Sequence, residues 1–172
     1  MRIEAIAQNK LLILYLLKSI NIQLSELQIL RIVSENEWLN YFDLKECLFE
    51  LIEGRLVEQR ETPNGTFYSI TELGQDTVFY LEKELPESQR KAIDAYCDAN
   101  RDALRLETEL SADYIKIDEG EYRVMLKILE NQLPVFELNL ITWSKNSAEA
   151  FIRRWKDVAP AIYKSTYDIL SK

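Results

Sequence analysis

Few side chains in this sequence could carry enzyme chemistry. The two thiols, Cys47 and Cys97, are its best nucleophiles, and the 172 residues include no His to act as their base. Cys47 lies on the apolar side of a predicted helix, where a thiol stays protonated and unreactive. The absence of His also excludes Ser-His-Asp triads and zinc sites of mixed Cys and His ligands. We therefore expect a protein that is not an enzyme and that needs no metal or cofactor.

Two further patterns also fail as reactive sites. Asp118, Glu119 and Glu121 surround a predicted hairpin turn, where solvated charges are common, and they lack the spacing of a calcium-binding loop. The four glycines are isolated, so they cannot form a phosphate-binding loop. The candidates that remain are residues that could bind another macromolecule.

The third predicted helix, which Asn40 caps, has the outward positions with the clearest binding potential. Lys45 is its one outward cation, and Phe49 is out of phase with the apolar side of the helix. We expect Tyr41 and Phe42, at the start of the helix, to pack against the preceding helix, and the alternative is that they stack on bases or contact a partner helix. The full outward set is Asp43, Lys45, Glu46, Phe49, Glu50 and Glu53.

Two helices are predicted before this one. Residues 4–20 are apolar on nearly every side, which is typical of a helix buried on several sides. Ser25 and Gln28 have the spacing of a capping box, so a second helix is predicted at residues 26–34. The apolar set of this second helix is Leu27, Leu30, Ile32 and Val33.

A β-hairpin is predicted after the third helix. Gly54 occupies the position where a left-handed residue commonly ends a helix. The sequence then alternates, and Asn64-Gly65 between two β-prone runs is a strong hairpin signal. A fourth helix is predicted from Thr71. The order helix, helix, helix, hairpin, helix is that of a winged helix-turn-helix domain, whose third helix reads DNA and whose hairpin is the wing.

A domain boundary is predicted at Leu85-Pro86, because proline disfavours helix in the residue before it. It divides the chain into a winged-helix domain, residues 1–85, and an α+β domain, residues 86–172. The second domain begins with a long polar helix at residues 87–109, whose length suits a connector or a dimer arm. Dimerisation or sensing is its predicted role.

The rest of the second domain is predicted as a sheet covered by a helix. Asn146 and Glu149 have capping-box spacing at the start of the last helix, and Pro160 is expected to kink or split it. The predicted fold class is therefore α+β: a winged helix-turn-helix domain followed by a three-stranded antiparallel meander flanked by helices. The three predicted strands are residues 112–117, 122–130 and 134–143.

One face of this meander lacks a predicted cover. That face is predicted to carry Arg123 and Lys127 and much apolar surface, so it requires another surface against it, which could be the long helix, the winged helix or a second subunit. We expect a second subunit to supply the cover, so the protein is predicted to be a homodimer. A small-molecule pocket between the sheet and the helix of Trp155 is the alternative. The residues of the second face are Met125, Leu129, Val135, Ile141 and Trp143.

The charge balance opposes DNA binding. The chain has 21 Lys and Arg against 29 Asp and Glu, and its net charge of -8 is concentrated in residues 1–84, which carry -6. DNA presents a negative charge every ~1.7 Å along its axis, so it repels an acidic module. A cluster of cations on one side of the domain would reverse this expectation. The cations available for such a cluster are Arg2, Lys10, Lys18, Arg31 and Arg60.

A family resemblance is carried by four segments: Asn9-Lys10-Leu11-Leu12-Ile13-Leu14-Tyr15, Leu39-Asn40-Tyr41-Phe42-Asp43-Leu44, Ile70-Thr71-Glu72-Leu73-Gly74 and Glu130-Asn131-Gln132-Leu133-Pro134. Together they resemble an uncharacterised family from Firmicutes, a domain of unknown function that is expected to begin with a winged helix. The likeness covers nearly the whole chain. The third segment alone is also similar to the wing-to-helix joint of winged-helix regulators such as the PadR type. The resemblance implies a DNA-binding-like N-terminal module and supplies no catalytic residue and no ligand.

The element order and the resemblance predict a dimeric winged-helix transcriptional regulator whose partner is double-stranded DNA. Lys45 and Phe49 are expected to approach the major groove, and Arg60, Thr62 and Asn64 to contact the backbone or the minor groove. The alternative is a non-enzymatic adaptor whose acidic third helix binds a basic protein partner. A basic patch on the folded surface favours the regulator, and a continuous acidic surface favours the adaptor.

A cytoplasmic location is predicted, with no membrane partner. The longest apolar run, residues 11–17, is far shorter than the ~20 residues that span a bilayer, and no signal-peptide cleavage pattern follows it. In a reducing compartment Cys47 and Cys97 are expected to stay unpaired and buried.

Overall fold

The computed structural model describes residues 2–62 and 65–172, which form an α+β fold. The chain divides into two compact units, Met1–Arg105 and Leu106–Lys172. Each unit contains one three-stranded antiparallel sheet. No helix among the described residues is both long and apolar enough to cross a membrane.

The elements of the first unit follow the predicted order. They are α1 (Arg2–Ile20), β1 (Leu24–Ser25), α2 (Glu26–Glu35), α3 (Tyr41–Glu53), β2 (Val57–Thr62), β3 (Gly65–Ile70), α4 (Glu72–Leu81), a short 3-10 helix (Glu82–Glu84) and α5 (Glu87–Glu109). The strands pair in the order β1-β3-β2, so the predicted hairpin gains a third, two-residue strand.

Helix α1 is the centre of the first core. Residues 11–17 are all buried, as the all-round apolar pattern predicts, because α3, α4 and β3 pack around the helix. Burial of each Leu or Ile side chain contributes roughly 1.5–3 kcal/mol. Packing on α1 therefore fixes the positions of the helices that surround it.

Polar contacts attach α5 to α1. The Asp94 carboxylate accepts hydrogen bonds from Tyr15 Oη at 2.8 Å and from Ser19 Oγ at 2.7 Å. Arg101 donates to the carbonyls of Ser19 and Ile20, at 2.8 and 3.0 Å, where α1 ends. The first compact unit therefore includes most of α5, whereas the predicted boundary assigns this helix to the second domain.

The predicted start signals of α2 and α3 are confirmed. Ser25 Oγ accepts a hydrogen bond from the Gln28 N–H at 3.1 Å, and Gln28 Oε1 accepts one from the Ser25 N–H at 2.9 Å. Asn40 Oδ1 accepts a hydrogen bond from the Asp43 N–H at 2.9 Å. These bonds satisfy backbone donors that a helix start leaves free.

The end of α3 differs from the prediction. Gly54 has a φ of -75°, so it is not the left-handed residue, and Arg55 takes that place with a φ of 59°. The reason is that the Gly54 N–H still bonds the Glu50 carbonyl at 2.9 Å, which keeps Gly54 helical. A hydrogen bond of 2.9 Å from the Leu56 N–H to the Leu51 carbonyl then closes a Schellman motif.

The second unit is a sheet covered by one helix. Its elements are β4 (Leu110–Asp118), β5 (Glu121–Glu130), β6 (Leu133–Thr142) and α6 (Lys145–Leu170). The strands pair in the order β4-β5-β6. Val124 and Leu126 of β5 form one buried cluster with Trp155 of α6, whose Nε1 donates to the Lys127 carbonyl at 3.2 Å.

The start of α6 differs from the prediction. Its N-cap is Ser144, whose Oγ accepts a hydrogen bond from the Ser147 N–H at 3.1 Å, and not the predicted pair of Asn146 and Glu149. The Glu149 carboxylate instead accepts a hydrogen bond from Tyr114 Oη at 3.3 Å. The Glu149 side chain therefore bonds to the sheet and does not form the predicted capping box.

Helix α6 is continuous over 26 residues, so of the two predicted effects of Pro160, a kink or a split, the split does not occur. Pro160 is exposed. Because proline has no N–H, one carbonyl in the preceding turn lacks its hydrogen-bond donor. At this exposed position water can take the place of that donor.

The sheet face turned away from α6 carries both charged and apolar side chains. Arg123 and Lys127 of β5 lie on it, because side chains alternate along a strand. Lys127 pairs with Glu137 of β6 at 3.0 Å. Leu129 is buried, whereas Trp143 is 75% exposed. The homodimer expected to cover this face stays a prediction.

Candidate binding surface on helix α3

Helix α3 presents five side chains on its outward side, which we call the α3 surface. They recur at spacings of three and four residues, so they share one face of the helix. The inward side consists of buried Leu and Cys residues. The α3 surface comprises Phe42, Lys45, Glu46, Phe49 and Glu53.

Two aromatic rings are prominent on the α3 surface. Phe42 is 79% exposed and Phe49 is 67% exposed, which confirms that Phe49 points outward. The prediction that Tyr41 and Phe42 pack against the preceding helix is wrong. Both rings are exposed and contact each other edge-to-face, with centroids 5.5 Å apart. Leu44 supplies the buried contact of the first turn instead.

The one cation of the α3 surface is compensated within the same unit. Lys45 Nζ lies 2.8 Å from Glu26 Oε1, and Tyr68 Oη donates to Glu26 Oε2 at 3.0 Å. The hydrogen bond from Lys45 lowers the pKa of Glu26, and the same bond raises the pKa of Lys45. Both groups therefore stay charged over a wide pH range, and the pair has no net charge.

The start of α2 adjoins the α3 surface through Glu26. A helix N-terminus attracts phosphate through its free N–H groups and its dipole, but here a carboxylate stands in the first turn. The next residue, Leu27, is 76% exposed, so its predicted place in the apolar set is wrong. Ile29 is buried instead, together with the correctly predicted Ile32 and Val33, so the core-facing side of α2 does not include position 27. The neighbourhood of α3 is therefore acidic and apolar.

Two of the other predicted DNA-binding residues, Arg60 and Thr62, belong to β2. Arg60 is exposed, and no carboxylate among the described residues lies within ion-pair distance of it. Thr62 is half-buried, and its Oγ1 donates to the Gly65 carbonyl at 3.0 Å. Asn64 lies outside the described residues. The predicted set is thus divided between two elements, α3 and β2.

Two of the cations considered for a basic patch, Lys10 and Lys18, are paired with carboxylates. Lys10 Nζ lies 2.7 Å from Glu50 Oε2, and Lys18 Nζ lies 3.2 Å from Glu82 Oε2. The side chain of Arg2 lies outside the described part of the chain. Half-exposed pairs of this kind contribute at most about 1 kcal/mol to stability. Each of them nevertheless offsets a positive charge that a DNA-binding face would use.

The sequence gives little indication that Glu26, Leu27 and Tyr68 lie close to the α3 surface. Glu26 is 19 positions from Lys45 and 42 positions from Tyr68, so neither helical nor strand spacing relates them. The one signal was the place of Glu26 in the first turn of a capped helix, where the dipole stabilises a carboxylate. Its partners depend on how α2, α3 and β3 pack.

The two thiols are buried and unpaired, as predicted. Burial raises the pKa of Cys47 to about 11 and that of Cys97 to about 12. Both are therefore protonated at neutral pH, which removes their nucleophilicity.

The fold and this surface define a two-unit α+β protein with an acidic and aromatic helix face. A family model described as "Domain of unknown function (DUF4364)" matches residues 9–170. The chain belongs to this family. Comparison with curated proteins and with solved structures gives no match.

Proposed function

We propose that the unit Met1–Arg105 is a winged helix that binds protein through the α3 surface. The order α1-β1-α2-α3-β2-β3 is that of a winged helix-turn-helix, with β2-β3 as the wing. The pairing of β1 with β3, at Leu24 and Tyr68, supports the proposal. It joins the start of the α2-α3 pair to the hairpin, as this arrangement requires.

The ion pair between Lys45 and Glu26 carries the proposal. A helix that reads DNA offers cations and amides to phosphates and base edges. On α3 the single outward cation is already compensated, and the carboxylates of Glu46 and Glu53 stay exposed. A duplex is therefore repelled by the face that would have to enter its groove.

The same face suits a protein segment that carries apolar side chains and cations. Exposed aromatic rings are enriched at protein interfaces, where burial of one Phe contributes roughly 1.5–3 kcal/mol. Phe42 and Phe49 are such rings, and Glu46 lies between them. The module acts in this proposal as a non-enzymatic adaptor.

Site-specific photocrosslinking in the native host tests the proposal. A benzoylphenylalanine in place of Phe49 is expected to give a protein adduct, and the adduct is expected to disappear when Glu46→Lys and Glu53→Lys are added. The matched control places the photoprobe at Phe79, which is 70% exposed on α4. An adduct no stronger at position 49 than at position 79 contradicts the proposal.

A DNA-binding transcriptional regulator is the second candidate, and one observation favours it. Arg60 is exposed and without an ion-pair partner among the described residues, on the strand that forms one side of the wing. In this candidate the protein is a homodimer that contacts duplex DNA through Lys45, Phe49, Arg60, Thr62 and Asn64. The change of Lys45 and Arg60 to Glu together then abolishes duplex binding.

A further inference from the structure

Helix α6 exposes a row of cations and apolar rings, which we call the α6 stripe. Its members recur at spacings of three and four residues, so they share one side of the helix. That side is distinct from the one where Trp155 packs on the sheet. The α6 stripe comprises Arg153, Lys156, Pro160, Lys164 and Tyr167.

The cations of the α6 stripe lack the compensation that Lys45 has on α3. Arg153, Lys156 and Lys164 are exposed, and in the part of the chain that the structure describes no carboxylate lies within ion-pair distance of them. Asp157 and Asp168 lie beside the stripe, four positions after Arg153 and Lys164, and within the described residues neither forms an ion pair with them. Three positive charges are therefore available to carboxylates of another molecule.

The charges of the two surfaces are opposite in sign and similar in spacing. On α3, Glu46 and Glu53 are seven positions apart, which is about 10 Å along a helix. On α6, Lys156 and Lys164 are eight positions apart, which is about 12 Å. Two carboxylates on one helix can thus meet two ammonium groups on the other at the same time.

We infer that the α3 surface of one copy docks on the α6 stripe of a second copy. An apolar ring stands between the two charges of each surface, Phe49 on α3 and Pro160 on α6, so pairing of the charges brings these rings together. The residues of both surfaces are exposed or half-exposed. In a two-fold dimer the contact forms twice, because each copy supplies both surfaces. This contact rests on the proposed function of the α3 surface and names its partner.

Sedimentation equilibrium with charge-reversed variants of the full chain tests this contact. The wild-type chain is expected to be dimeric at low ionic strength and to dissociate as salt screens the charges. The pair of changes Glu46→Lys and Glu53→Lys is expected to raise the dimer Kd at least about tenfold, because like charges then face each other. The pair Lys156→Glu and Lys164→Glu is expected to do the same.

Mixing the two variants in equal amounts gives the most specific readout. Each contact in the mixed dimer again pairs opposite charges, so dimerisation is expected to return, which a misfolded variant could not do. Arg154→Glu, on α6 but outside the stripe, is the matched control and is expected to change the Kd by less than about threefold.

Three outcomes overturn the inference. They are a wild-type chain that stays monomeric at every concentration, a dimer whose Kd neither double change alters, and a mixture that does not associate. A monomeric chain whose photoprobe at Phe49 still forms a charge-dependent adduct with a different protein overturns the inference and leaves the proposed function intact.

Discussion

Helices α3 and α6 lie in different units and differ in the sign and the compensation of their exposed charge. The outward side of α3 is acidic, and its one cation, Lys45, lies 2.8 Å from Glu26. The α6 stripe is basic, and its three cations have no carboxylate within ion-pair distance among the described residues. Both helices bury another side in a core. The exposed carboxylates of α3 and the three cations of α6 are therefore the groups through which we propose that the chain binds a partner.

The buried sides of the helices are expected to dominate stability. Trp155→Ala is expected to destabilise the second unit by about 3–5 kcal/mol, because the side chain is 1% exposed and its removal leaves a cavity. Trp143→Ala, at a position 75% exposed, is the control and is expected to change stability by less than about 0.5 kcal/mol. Urea unfolding followed by circular dichroism measures both. Equal losses would contradict the division between buried and exposed sides.

Alkaline pH is expected to lower the stability of the fold through Tyr68, whose hydroxyl donates a hydrogen bond to Glu26. Burial, together with the hydrogen bond to Glu26, raises the pKa of Tyr68 from 10.0 to about 12. The folded state therefore keeps a proton that the unfolded state loses, so stability is full below about pH 10 and falls as the pH rises toward 12. The expected loss through Tyr68 is roughly 1 kcal/mol by about pH 11.

Tyr68→Phe is the variant that checks this linkage. It is expected to reduce the alkaline loss measured by urea midpoints at neutral and alkaline pH. Burial also raises the pKa of Tyr15 to about 12, so Tyr15 is expected to contribute a separate part of the alkaline loss of stability. Tyr15→Phe is the matched variant on α1. An alkaline loss as large in Tyr68→Phe as in the wild-type chain would show that Tyr68 is not linked to folding.

The smallest expected effect on stability comes from removing a cation, and it is expected to differ between Lys45, which has an ion-pair partner, and Arg153, which has none among the described residues. Lys45→Ala is expected to cost about 0.2–1 kcal/mol, because Glu26 loses its partner. The pKa of Glu26, followed by NMR, is expected to rise in this variant. Arg153→Ala is expected to leave stability within about 0.5 kcal/mol of the wild-type value. The comparison fails if the two variants lose stability equally, or if the pKa of Glu26 does not move.

Most elements could be predicted from the sequence because their signals are local. The capping box of Ser25 and Gln28 joins residues three apart, and its hydrogen bonds form as predicted. The errors arose where adjacent residues compete for one role. Arg55, and not Gly54, is left-handed, and Ser144 caps α6 because packing on the sheet uses Glu149.

The candidate surface could be predicted only in part. The phase of Phe49 against the buried side of α3 is visible in the sequence, and its exposure is confirmed. The exposure of Phe42 and Leu27 depends on which side of each helix the core covers. The compensation of Lys45 depends on the packing of α2 against α3, which no spacing along the chain records.

Fluorescence anisotropy with labelled duplex DNA tests most directly whether α3 faces protein and not DNA. The full chain is titrated onto fragments from its own genomic neighbourhood and onto a scrambled duplex, at low and at moderate salt. We expect equally weak binding to all of them, unchanged by Lys45→Glu together with Arg60→Glu. Submicromolar, salt-sensitive binding to one fragment that this double change abolishes would contradict the account and favour the regulator.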